Sequence, residues 1–466
     1  MPIFSEIMKI IGLKRNRELE PLRAASLAVL NPPPRSDLSL ALPSKDFPVV
    51  VITGRAGTGK STLVREMARS TGKNQVVLSY TGVAALNVGG QTINSFFRLP
   101  HHVVDPVTIQ PTIGRRQIYQ NLERIVIDEM SMVRADMLDA IDYSLRVNRD
   151  NSLPFGGVQV VMIGDLLQLP PIVTAEDERV LADYGYETPP YIVRAKGLQN
   201  LSVKFVEMTK VFRQNDPKFI RLLGNIRIGS EVESAVNSIN EMCYRSHRGS
   251  ATPIILTPTN ERADSYNQRK LAALQSRVFT YSGILQGAFL TERPKNDGKL
   301  PVPLRLELKV GARIIMVKND PVQRWVNGSL GTVTRTDPNC VWVRLDGVDG
   351  EYQINRERWE KIVYRWSQAE RRIIPEVVGS YSQLPLKAAW AVTIHKAQGL
   401  SLEEVRVDFG TGAFAHGQAY VALSRAKTTA GLSLARPLAV ADVKVDPMLL
   451  AVTEEISNRS TPWAYD

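Results

Sequence analysis

The chain has 466 residues, 44% hydrophobic and 23% charged, and its 58 Lys and Arg outnumber 47 Asp and Glu to give a net charge of +11. That length allows several buried cores, while no apolar run reaches the roughly 18 residues needed to cross a membrane. The two cysteines, Cys243 and Cys340, have no metal-ligand spacing and exclude a disulfide framework, and no secretory h-region is present, so secretion is not expected. The basic surplus is spread along the chain and suits a polyanion, nucleic acid first of all.

Residues 1–47, with the Pro- and Ser-rich NPPPRSD, read as an N-terminal extension or linker. The apolar run PVVVIT (48–53) reads as a strand, and GRAGTGKS (54–61) leads from it into a helical pattern. This is a phosphate-binding loop. Gly54, Gly57 and Gly59 let backbone N–H groups turn towards an anion, and the following helix adds its positive end. Thr58 and Thr62 belong to the same cradle. Lys60 would reach the β- and γ-phosphates of a nucleoside triphosphate, and the Ser61 hydroxyl would hold Mg²⁺.

Further β-branched runs follow: QVVLSY (75–80), RIVID (124–128), VQVVMIG (158–164) and VKFVEM (203–208), then PIILT (253–257), KAAWAVT (387–393), EEVRVDF (403–409) and GLSLA (431–435). Helical patterns between them predict an α/β fold with two nucleotide-binding-type parallel sheets, the first over 48–215 and the second over 216–275 and 384–450. The interruption at 276–383 holds short strands separated by turns at Asn327-Gly328, Asp337-Pro338-Asn339 and Asp346-Gly347, the pattern of a small all-β barrel. Five of six tryptophans (Trp325, Trp342, Trp359, Trp366 and Trp390) lie in or just after it, where filling a core is their expected task. Residues 451–466 read as a C-terminal tail.

RIVID delivers Asp128 and Glu129 at a strand end, where a Mg·triphosphate site needs carboxylates opposite its phosphate loop. Asp128 would hold the metal's water shell, and Glu129 would orient and deprotonate the attacking water. In GDLLQLPP (164–171), Gln168 can donate to the γ-phosphate and accept from water. Arg213 in TKVFRQ and Arg425 in YVALSRAK are read as two arginines from the second sheet that sense the triphosphate across a cleft. His395 is not a metal ligand candidate, since only five histidines exist and none clusters around it.

The ordered strings GRAGTGKS, TGVAA (81–85), TINSFF (92–97), VIDEMSM, GDLLQLPP, VFRQ, TIHKAQGLSL (393–402) and GQAYVALSRAK resemble the helicase motifs of superfamily 1. In particular they resemble the petite-integration-frequency (Pif) family, which moves 5′→3′ on single-stranded DNA. Residues 136–165 and 384–399 are similar to that family's own signatures, and the resemblance covers about 48–450. It implies an α/β fold of two RecA-like P-loop domains, with a Src-homology-3-like barrel inserted in the second. It also implies a monomer that uses ATP and Mg²⁺ on single-stranded and forked duplex DNA, cytoplasmic and nucleoid-associated if bacterial or phage. By the family pattern Lys60, Ser61, Asp128, Glu129, Gln168, Arg213, Gly399 and Arg425 go to ATP. Thr81, Gly82, Ser95, Thr257, Thr393 and His395 go to the DNA backbone or neighbouring contacts. Phe96 and Phe97 either offer a base-stacking face or fill core.

Three positions depart from the family pattern. No glutamine precedes Gln75, so the residue that recognises adenine in many relatives is absent from its usual place. Asn94 stands where His is customary, and Leu166 where Phe is. The insertion at 98–118, with three prolines, two histidines and Arg115-Arg116, is read as a wedge that splits the duplex, the alternative being a surface loop. The competing readings are a translocase that strips proteins from DNA with little unwinding, a RecD-like helicase, and a nucleotide-gated DNA-binding module.

Overall fold

In this computed structural model, residues 47–69, 73–100, 102–244, 253–291, 300–320, 322 and 324–463 are described. The N-terminal extension therefore lies outside the described residues. The Val- and Ile-rich runs form strands β1 (Val49–Gly54), β2 (Gln75–Ser79), β3 (Gln91–Thr92), β4 (Arg124–Asp128), β5 (Gln159–Ile163) and β6 (Val203–Met208). β1, β4 and β5 are buried along their whole length, as strands of a parallel sheet covered on both faces must be.

The second domain begins with the helices Pro217–Ile228 and Val232–Cys243, which pack in its core, and its first strand is β7 (Ile254–Thr257). The chain then enters the inserted segment through β8 (Val278–Ser282), β9 (Ile284–Gly287), β10 (Arg305–Lys309), β11 (Arg313–Met316), β12 (Leu330–Thr336), β13 (Val341–Leu345) and β14 (Tyr352–Ile354). It leaves through a long hairpin, β15 (Glu357–Ser367) and β16 (Arg372–Gln383), and β17 (Leu386–Ala388). β18 (Ala391–Thr393), β19 (Val405–Val407) and β20 (Leu432–Leu434) complete the second domain, whose parallel sheet runs β18-β7-β19-β20. The run 387–393, read as one strand, is two: β17 pairs with β11 of the insertion and β18 with β7. Return to the second domain thus falls after Ala388, later than residue 384.

Within the insertion, the antiparallel sheet β14-β13-β12-β11-β17 closes over a core that includes Trp325, Trp359 and Trp390. Trp342 is half-buried beneath the Arg335 guanidinium, and Trp366 packs against the first domain instead. That second contact belongs to the hairpin, which the sequence reading missed. Val77 N–H donates to Tyr364 Oη (3.2 Å), Ile373 N–H donates to Asn74 Oδ1 (3.0 Å), and both side chains join the first domain's core.

The C-terminal segment is not a loose tail. The helix Pro447–Arg459 buries Leu449 and Ile456 in the first domain's core, and β21 (Thr461–Trp463) adds a parallel strand beside β6. The completed first sheet has the order β21-β6-β1-β5-β4-β2-β3. Each domain keeps its own apolar core, and the cleft between them runs along the C-terminal ends of β1, β4 and β5, the edge where open α/β sheets bind ligands.

Candidate nucleotide cleft and its DNA-facing segments

β1 ends at Gly54, and three glycines with φ of 153°, 83° and 92° (Gly54, Gly57 and Gly59) shape the loop that follows. A Cβ at Gly54 would lie 2.6 Å from Met208 O, and one at Gly57 2.6 Å from Arg213 Cβ, so only glycine fits either place. Thr58 is buried and its hydroxyl donates to Arg55 O (3.0 Å), while Ser61 and Thr62 sit half-buried in the first turn of the helix Lys60–Arg69. Lys60 Nζ donates to Gly54 O (2.6 Å) and Arg55 O (2.8 Å), and burial pushes its ammonium down to about 8. The lysine is folded onto its own loop.

β4 delivers Asp128 and Glu129 beside this loop. Burial, with Glu129 next to it, pushes the Asp128 carboxyl up to about 7. Glu129 adopts φ 53°, a conformation that costs a non-glycine residue energy and that sites rather than cores retain. Gln168 is buried and its amide donates to Asp165 Oδ2 (3.4 Å).

Arg213 is not part of the second sheet. It follows β6 of the first domain and reaches across the cleft, donating to Ser401 Oγ (2.7 Å) and Ser424 O (3.1 Å) of the second. Arg425 does come from the second domain, and it donates to Val421 O (2.8 Å), Ser424 Oγ (2.8 Å) and Leu400 O (3.2 Å). Neither has a carboxylate in ion-pair range among the described residues. Burial, and for Arg213 the Arg425 charge, push both guanidinium groups below their ordinary range, Arg425 to about 10. Two uncompensated arginines, one buried and one half-buried, a lysine and a pair of carboxylates fit a Mg·triphosphate, whose charges would offset what their desolvation costs. Ser61 and Asp128 are the residues that could hold its metal.

The segments assigned to DNA divide into open and closed. Thr81 caps the helix Gly82–Val88, accepting from Ala84 N–H (3.2 Å), and both Thr81 and Gly82 remain half-exposed. Ser95 is exposed and accepts from Gln91 Nε2 (2.8 Å). Thr393 is buried, its hydroxyl accepting from Lys396 N–H (3.3 Å) as the cap of the short helix Ile394–Ala397, while His395 stands half-exposed against the exposed Phe414 ring (6.4 Å); Gly399, assigned to ATP, is exposed with φ 83°. Three assignments fail. Phe96 and Phe97 are 0% and 2% exposed, in a cluster with Tyr119 and Tyr364, so neither offers a stacking face. Thr257 is 0% exposed, and its hydroxyl is spent on Thr259 O (3.0 Å).

Three contacts escaped the sequence reading although their strings were in view. The Ala56 N–H of the phosphate loop donates to Tyr420 Oη (2.8 Å), Gln398 Nε2 donates to Glu129 Oε2 (2.8 Å), and Asp165 forms a buried bidentate pair with Arg227 (2.8 Å). All three join the domains. Nothing in the strings says which residues face across a cleft.

A family model described as PIF1-like helicase matches residues 42–235, and one described as Helicase matches 378–449. ATP-dependent DNA helicase PIF1 of Homo sapiens is 34% identical over 417 residues, covering 86% of this chain and 60% of its own length. The chain thus spans about 60% of that relative's length. ATP-dependent DNA helicase Pif1 of Bdellovibrio bacteriovorus is 32% identical over 392 residues, which cover 83% of each chain. The chain belongs to the Pif1 helicase family. Among solved structures, Bacteroides sp Pif1 in complex with ADP-AlF4 superposes with a TM-score of 0.81 at 32% identity, over 90% of this chain and 96% of that one. The Bacteroides protein in complex with ADP-AlF3 and ssDNA gives 0.64 at 30% identity, over 96% of this chain and 98% of that one.

Two departures from the Pif1 pattern have structural explanations. Asn94 is buried and its amide donates to Pro100 O (2.6 Å), pinning the start of the 98–118 insertion. Leu166 is buried in the first domain's core. The far side of the insertion is held by Arg115, which donates to Phe96 O (2.7 Å) and Tyr364 O (3.1 Å), and by Thr112 N–H, which donates to Asn148 Oδ1 (2.7 Å). Between these anchors Ile113 is 90% exposed, and a groove of about 870 Å³ opens against the helix Ala175–Asp183. No helix among the described residues is long and apolar enough to cross a membrane.

Proposed function

We propose that this chain is an ATP-dependent DNA helicase that, as a monomer, moves 5′→3′ on single-stranded DNA and opens forked duplex. The observation that carries the reading is a pair of arginines without carboxylate partners, Arg425 buried and Arg213 half-buried, set against a phosphate loop and the Asp128-Glu129 strand end. Glu129 takes a proton from the attacking water, and Gln168 donates an amide N–H to a γ-phosphate oxygen. Arg213 and Arg425 turn onto the transferring phosphoryl group, a contribution of about 10³–10⁵ in rate. Ser61 and Asp128 would hold Mg²⁺, which would supply charge neutralisation to the phosphates when bound. The relatives' names and the Bacteroides complexes support ATP and DNA as ligands.

Thr81, Gly82 and Ser95 on the first domain, and Thr393 and His395 on the second, hold the DNA backbone without reading sequence. Closing of the cleft around the nucleotide draws these two groups together, and opening after hydrolysis parts them, one step per cycle. The exposed 98–118 insertion is the wedge. The test is strand separation with ATP on duplexes carrying a 5′ or a 3′ tail. Only the 5′-tailed substrate should open, with hydrolysis that rises with single-stranded DNA and falls with salt. Hydrolysis indifferent to DNA, or equal opening of both substrates, would remove the reading. The wedge fails separately if trimming its tip leaves unwinding as fast as single-strand translocation.

A further inference from the structure

Four successive residues just beyond the DNA-facing helix Ile394–Ala397 each matter to the cleft. Gln398 Nε2 donates to Glu129 Oε2 (2.8 Å), Gly399 turns the chain with φ 83°, Leu400 O accepts from Arg425 Nη1 (3.2 Å), and Ser401 Oγ accepts from Arg213 Nε (2.7 Å). One short segment therefore touches the candidate base and both arginines, and it starts where the DNA contacts of Thr393 and His395 end.

Gln398 carries the more specific signal. A carboxylate only accepts hydrogen bonds, so the Gln398 amide must turn its nitrogen to Glu129 and its oxygen away. That oxygen, Oε1, is buried and has no hydrogen-bond partner among the described residues. A buried acceptor without a donor is destabilising and calls for a function. Water attacking a phosphoryl group has two hydrogens to place.

We propose that Gln398 is the second acceptor for the nucleophilic water, completing from the second domain a site of which Glu129 is the other half. This rests on the hydrolytic reading above. One water hydrogen goes to Glu129 and the other to Gln398 Oε1, which leaves the oxygen lone pair directed at the γ-phosphorus. As the new O–P bond forms and the bond to the β-phosphate oxygen breaks, the proton passes to Glu129 and ADP leaves. Because Gln398 follows the DNA-facing helix by one residue, the water is held correctly only when single-stranded DNA fixes that helix. DNA stimulation of hydrolysis is then a matter of where Gln398 stands.

The test replaces Gln398 by an unbranched side chain that fills similar space without a polar atom, Gln398→Met. With saturating single-stranded DNA, kcat should fall by about 10²-fold, the usual loss when one preorganised hydrogen-bonding group is removed. KM for ATP and affinity for a fluorescent single strand should hold, since the lost interaction belongs to the transition state. A kcat close to that of the unaltered protein overturns the proposal. So does a rise in DNA-free hydrolysis, which would make Gln398 a brake on Glu129, and so does joint loss of ATP and DNA binding, which would make it structural. If the unaltered protein shows no DNA-stimulated hydrolysis at all, the motor reading itself fails, and that result is visible before any variant is made.

Discussion

The cleft holds arginines of two kinds. Arg227 meets Asp165 in a bidentate pair, the carboxyl held below its ordinary range and the guanidinium above its own. Arg425, buried, and Arg213, half-buried, lie in the same cleft and satisfy their N–H groups only with carbonyls and hydroxyls. The first arrangement is complete within the protein and joins the two domains. The second is complete only when an anion arrives. Burial of charge thus separates a structural arginine from a ligand-seeking one, which the sequence string R alone never does.

The strongest way to break this comparison is to remove the reaction that the uncompensated pair serves. Glu129→Gln should bind nucleotide and lose turnover, with phosphate release lowered by about 10²–10⁴-fold, the contribution of a positioned base. Lys60→Ala should abolish hydrolysis. Turnover retained in either variant contradicts the site.

Next come the arginines themselves. Arg213→Ala and Arg425→Ala should each lower DNA-stimulated hydrolysis by about 10³–10⁵-fold. Their thermal unfolding should change little, because an uncompensated buried charge leaves with the side chain. Arg227→Met should do the reverse. It strands the Asp165 carboxylate and costs about 3–5 kcal/mol in denaturant unfolding. The double variant Asp165→Leu/Arg227→Met should recover most of that loss. If Arg213→Ala proves as destabilising as Arg227→Met, the distinction between the two kinds is void.

Much of this architecture was legible because strand interiors and phosphate chemistry leave dense local signals. β1, β4, β5 and β6 fall where runs of Val and Ile place them, and Lys60, Asp128, Glu129 and Arg425 converge as their strings imply. What was illegible is contact between segments distant in sequence. The hairpin β15–β16 is Arg-, Glu- and Trp-rich, without clean alternation, because one part of it faces the insertion and another the first domain. The C-terminal strand is three residues long and gains its identity only from β6 beside it. Phe96 and Phe97 follow an N-cap threonine in a short exposed-looking string, and they are buried in a core cluster to which Tyr119 and Tyr364, distant in sequence, contribute.

The smallest effect tests the same idea on a hydroxyl. Thr257 is complete within the protein, its Oγ1 donating to Thr259 O (3.0 Å). Thr81 is half complete: its Oγ1 accepts from Ala84 N–H (3.2 Å) and keeps a hydrogen to donate outward. A cap and a phosphate contact can therefore share one oxygen. Thr81→Ala should lose about 0.5–2 kcal/mol of stability as a missing cap. It should also weaken single-stranded DNA binding by about 3- to 10-fold as one missing hydrogen bond. Thr81→Ser keeps the oxygen and should preserve both, whereas Thr257→Val should alter stability alone. Unchanged DNA affinity in Thr81→Ala, measured by fluorescence anisotropy at fixed salt, would make Thr81 a cap and nothing more.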